Sequence, residues 1–133
     1  MDFASLDSRA LRRYGPVDLV AILAMLWIGE LRHGNDPLVT PLLFVDTLIP
    51  FLVGWIVAGY ALGAYSAVTM DGYRPAIVQV LVAWFAANVV GQALRATDLF
   101  HGGSQLSFFL VMLGFVGIAL TVGRVAVIAA LGD

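Results

Sequence analysis

The chain has 133 residues, the length of one domain, with 61% hydrophobic and 12% charged residues and a formal net charge of −2. The charged share is about half that of an ordinary soluble domain, and the mean hydropathy is +0.94. This excludes a disordered chain, a coiled coil, a nucleic-acid binder with a basic footprint and a soluble globular enzyme, and it describes an integral membrane protein.

All lysine-type cations are arginines: Arg9, Arg12, Arg13, Arg32, Arg74, Arg95 and Arg124. Without lysine there is no Schiff-base chemistry. Without cysteine there are no disulfides and no thiolate metal sites.

Residues 1–15 are polar and form an N-terminal segment expected on the cytoplasmic side. Phe3, Leu6, Ala10 and Tyr14 fall near one helical face, with Arg9, Arg12 and Arg13 largely opposite. The pattern suits a short helix on the membrane surface, with a frayed tail as the alternative. Basic residues ahead of an apolar run imitate a signal peptide, but no small-x-small cleavage site follows, so the run is read as a permanent helix.

Residues 16–133 form the membrane domain. Apolar stretches at about 17–33, 42–66, 75–97 and 105–131 each match the roughly 20 residues needed to cross a bilayer. Helices satisfy their own backbone in lipid, so the fold class is all-α: an integral membrane four-helix bundle, with two tandem helical hairpins as one arrangement. The breaks carry turn chemistry at Gly34-Asn35-Asp36-Pro37, Asp71-Gly72-Tyr73-Arg74-Pro75 and Gly102-Gly103-Ser104. Arg9, Arg12, Arg13 and Arg74 share one side, Arg124 lies toward it, and Arg32 and Arg95 lie opposite. That bias places both termini in the cytoplasm, with the plasma membrane as the location. Trp27, Tyr14 and Tyr65 fit an interfacial aromatic belt.

Pro50 lies about two turns into the second stretch. A proline there frees the carbonyl of Asp46 beside the Thr47 hydroxyl, which makes Pro50 a candidate hinge. The alternative is that Pro50 opens the helix proper.

Charge at the centre of a membrane helix costs about 2.5–3.5 kcal/mol per residue, so polar residues inside the spans mark sites. Asn88, Gln92 and Arg95 form one stripe with Trp84 and Gly91 on the third span. Glu30, Arg32, His33 and Asp46 belong at similar depth. Together these residues outline an outer polar cluster, read either as an ion or solute pathway (Asp46, Asn88, Gln92, Arg95, Glu30, His33) or as ion pairs near the headgroups. Arg95 is expected to meet Asp46 or Glu30. At the other end, Asp18 and Arg124 share a level and are expected to pair across the first and fourth spans.

Glu30-Leu31-Arg32-His33-Gly34 and Asp98-Leu99-Phe100-His101-Gly102 both read acid-Leu-x-His-Gly, 68 residues apart, and suggest an internal duplication. Glu30, His33, Asp98 and His101 also have the spacing of carboxylate–histidine metal pairs. Arg32 and Arg95 compete for the carboxylates, and neither a metal nor another cofactor is expected. Gly54, Ala58, Gly59 and Gly63 on the second span, and Gly114, Gly117, Thr121 and Gly123 on the fourth, are small residues suited to close helix packing, within the chain or in a homo-oligomer.

Leu31-Arg32-His33-Gly34, Pro50-Phe51-Leu52-Val53-Gly54-Trp55 and the arginine-bearing ends of the third and fourth spans resemble the DUF3054 family of small four-span membrane proteins. The resemblance runs over most of the chain from Asp18 onward. It implies the fold and the membrane location and carries no chemistry.

Three functions remain open. The first is a channel or transporter for an ion or small solute with an outward-facing polar pocket. The second is a non-catalytic membrane scaffold or partner subunit using the glycine faces. The third is a membrane metalloprotein. No catalytic triad, phosphate loop or nucleotide fingerprint is present, so no enzyme is expected. The expected partners are the lipid bilayer and a second copy of the chain, not nucleic acid.

Overall fold

The computed structural model describes residues 5–100 and 106–131. They form α1 (Ser8–Arg32), α2 (Pro41–Ala61), α3 (Tyr73–Arg95) and α4 (Leu106–Leu131), with a 3₁₀ turn at Ala67–Asp71 between α2 and α3. All four helices are long and apolar enough to cross a membrane. At 1.5 Å per residue they measure about 31 to 39 Å, against about 30 Å of hydrocarbon. The protein is therefore the all-α membrane bundle that the hydropathy pattern implies.

The first helix starts earlier than position 17. Asp7 caps it, accepting from the Arg9 N–H at 2.8 Å and from Arg9 Nη2 at 2.8 Å. The Arg9 guanidinium holds the Asp7 carboxyl at about 2, below its ordinary 3.8. The Asp7 N–H donates to the Tyr65 carbonyl at 2.8 Å and ties the helix start to the turn after α2. The segment expected as a separate surface helix is thus continuous with the span, and Pro16 lies inside it. Ala10 and Tyr14 are fully buried on its inner face. Phe3 lies outside the described residues.

Two helices end in the same way. Gly34 has φ +81° and Gly63 has φ +77°, the left-handed conformation that favours glycine one residue past a helix cap. Asn35 N–H donates to Glu30 O at 2.8 Å and Gly34 N–H to Leu31 O at 3.1 Å. Likewise Ala64 N–H donates to Gly59 O at 2.9 Å and Gly63 N–H to Tyr60 O at 3.4 Å. Each is a Schellman motif. The second ends α2 at Ala61, before position 66. It also corrects the reading of Gly59 and Gly63 as a helix-association stripe, because Gly63 terminates the helix.

Pro50 does not open α2. The helix begins at Pro41, a favoured first-turn position, and runs through the buried Pro50. Pro75 sits in the first turn of α3.

In the bundle, α2 packs most extensively on α3, α4 lies against both α1 and α3, and α1 touches α2 only lightly. The tightest seam therefore joins the two hairpins proposed from the repeat. Close approach explains it. A Cβ on Gly54 would collide with the Ala87 carbonyl, and one on Gly91 would lie 2.6 Å from the Phe51 ring. On the α1–α4 seam, a Cβ on Gly123 would come within 2.8 Å of Val17. Val20, Ile56, Ile118 and Val122 face outward, as lipid-facing residues do.

Candidate functional site

The bundle has two polar regions. One is near the end that carries the termini, the terminal end. The other is near the far end, where α1 meets α2 and α3 meets α4.

At the terminal end, Asp18 on α1 and Arg124 on α4 are both fully buried. Arg124 Nε donates to Asp18 Oδ1 at 3.2 Å and Nη2 to Oδ2 at 2.7 Å. This is the two-point guanidinium–carboxylate geometry, the strongest form of such a pair. The remaining polar atoms are also engaged. Arg124 Nη1 donates to the Ala76 carbonyl at 2.9 Å and Nη2 to the Ala64 carbonyl at 2.9 Å. The Tyr65 hydroxyl donates to Asp18 Oδ2 at 2.8 Å and accepts from Trp55 Nε1 at 3.1 Å. The guanidinium lies 4.4 Å from the centre of the Tyr14 ring. Tyr14 is held in turn by its hydroxyl donating to the Thr69 carbonyl at 3.0 Å.

Local sequence builds this arrangement. The Schellman turn at Gly63 brings the Ala64 carbonyl and the Tyr65 side chain back beneath α2. The first turn of α3 supplies Ala76. A single guanidinium thus joins α1, the turn after α2, α3 and α4. Tyr14 and Tyr65, expected in an interfacial belt, are instead inside the bundle around the charge.

At the far end, one face of α3 carries the polar groups. Trp84 Nε1 donates to Met112 O at 3.0 Å, and Asn88 Nδ2 to Phe109 O at 3.0 Å. Gln92 Nε2 reaches Asn88 Oδ1 at 3.4 Å, and the Arg95 guanidinium lies 4.7 Å from the centre of the Phe108 ring. Asn88, Gln92 and Arg95 are all buried. Gly54 meets Ala87 and Gly91 meets Phe51. That antiparallel register carries Asp46, half-buried, to the level of Arg95.

An aromatic column joins the two regions. Ring centres are 5.9 Å apart for Phe108–Phe51, 6.2 Å for Phe51–Trp84, 6.3 Å for Trp84–Trp55 and 6.1 Å for Trp55–Tyr65. It begins under Arg95 and ends at the hydroxyl that bonds Asp18.

The family model of DUF3054, described as a protein of unknown function, matches residues 16–127. The chain belongs to the DUF3054 family. No curated protein and no solved structure matches it. The DUF3054 match contains Asp18, Arg124 and the whole α3 stripe, while Tyr14 falls outside it.

The structure of this DUF3054 chain brings Asp18 and Arg124 into contact and aligns Asn88, Gln92 and Arg95 on one buried face. His33 is the exposed C-cap of α1, and Asp98 is exposed beyond α3. His101 lies outside the described residues. Among the described residues no group of three histidine, aspartate or glutamate side chains converges as metal ligands. Pro50 is buried mid-helix, and the Thr47 hydroxyl, three residues before it, donates to Leu43 O at 3.2 Å. Sequence reasoning missed Tyr14, Tyr65 and the two carbonyl acceptors. A hydroxyl-bearing aromatic at the depth of an expected ion pair is the signal in the sequence that would have found the tyrosines.

Proposed function

We propose that this DUF3054 protein is a carrier for an ion or small solute, with both termini in the cytoplasm and its binding region open toward the opposite side of the plasma membrane. The observation that supports it is the run of buried polar side chains on α3, ending at Arg95 and level with Asp46. A buried polar or charged group in a span is costly, and such groups mark pathways by default. Below it, among the described residues, the aromatic column and the enclosed Asp18–Arg124 pair leave no continuous polar route, which fits a carrier that must rearrange better than an open pore. The arginines at the terminal end, Arg9, Arg12, Arg13 and Arg74, support the orientation.

The test is flux into proteoliposomes containing the purified protein, under imposed proton and ion gradients. Wild type conducts selectively, and Asp46→Asn loses flux while keeping its helical content and elution volume. Absence of wild-type flux for protons and the common ions overturns the reading.

A further inference from the structure

The thin seam between α1 and α2 leaves a cleft of about 510 Å³ toward the terminal end. Leu11, Gly15 and Leu19 of α1 line one side, and Trp55, Ile56 and Tyr60 of α2 line the other. Its rim is open to the bilayer: Ile56 is 69% and Tyr60 58% exposed. Arg12 precedes Gly15 by three residues and Leu19 by seven, so it stands on the same helical stripe, one turn closer to the terminal surface. Arg12 is exposed and makes no hydrogen bond or ion pair among the described residues. Its neighbours are engaged: Arg9 is paired with Asp7 at 2.8 Å, and Arg13 lies 6.0 Å from the Tyr14 ring centre.

We propose that this cleft is a binding site for an anionic phospholipid of the leaflet on the terminal side. An acyl chain lies between α1 and α2 against Trp55, and the headgroup phosphate rests on Arg12. Charge complementarity selects the occupant. The cleft alone accepts any acyl chain, but a cation at its mouth favours a headgroup with net negative charge, by about fivefold for one arginine near a membrane surface. Gly15 matters because its missing side chain leaves room for the chain. A Cβ there meets Leu11 at an ordinary 3.5 Å, so a larger residue fills the cleft without disturbing the helix.

The test is native mass spectrometry of the full chain in micelles holding equal amounts of phosphatidylglycerol and phosphatidylcholine. Wild type retains phosphatidylglycerol about fivefold over phosphatidylcholine. Arg12→Gln brings the ratio to about one, and Gly15→Leu lowers retention of both lipids, each variant keeping wild-type helicity. Equal retention of the two lipids by wild type overturns the proposal. So does an unchanged preference in Arg12→Gln, or unchanged occupancy in Gly15→Leu.

Discussion

The two polar regions solve the same problem in different ways. At the terminal end a full positive and a full negative charge are enclosed together, and each polar atom named above meets a partner from a different element. At the far end the groups on α3 are mostly neutral, and two of them, Trp84 and Asn88, bond to backbone carbonyls of α4 that already belong to a helix. Removing one partner at the terminal end leaves an uncompensated charge in a dry interior. Removing one at the far end leaves a carbonyl that keeps its own helical bond. The comparison teaches that equal burial does not mean equal energetic weight.

The largest effect belongs to Arg124→Leu, which strands the Asp18 carboxylate. Breaking a buried pair from one side costs about 3–5 kcal/mol, enough to remove most folded protein, as read by elution profile and thermal unfolding in detergent. Adding Asp18→Asn restores part of that loss. Strictly additive losses would break the comparison, because the two side chains would then act independently.

Next is Gly54→Ala, which drives a methyl group into the Ala87 carbonyl on the seam that links the two regions. Overpacking of this kind costs about 1–3 kcal/mol. Gly114→Ala, with nothing nearby, leaves the unfolding transition unchanged. Equal behaviour of the two variants would show that the seam yields.

The smallest effect is expected from Asn88→Leu, which removes one hydrogen bond to α4 and a long 3.4 Å contact from Gln92 on α3 itself. One hydrogen bond between membrane helices contributes about 0.6 kcal/mol on average and at most about 1.7. A loss as large as that of Arg124→Leu would place the energetic weight at the far end and reverse the comparison.

Much of the site was legible because membrane burial makes polar residues conspicuous. Asp18 and Arg124 were matched by depth alone, counting from the ends of the first and fourth spans. Asn88, Gln92 and Arg95 were matched by helical spacing. The partners that complete the ion pair were not legible. Ala64 and Ala76 contribute carbonyls, and every residue has one. The role of Tyr65 depends on how the chain folds back after Gly63. The Gly59–Gly63 spacing misled for the same reason: a glycine four residues after a small residue suits a helix face, and a glycine after a helix cap suits a stop.

By itself the sequence determined four helices long and apolar enough to cross a membrane and their approximate bounds. These follow from hydropathy and from the fixed rise of an α-helix, which are properties of each segment alone. Only the tertiary structure decided which seams are tight, where α1 begins, and which carbonyls and rings surround Arg124. Those depend on contacts between segments far apart in the chain, such as Asp7 with Tyr65, Gly54 with Ala87 and Asp18 with Arg124, which no local periodicity encodes.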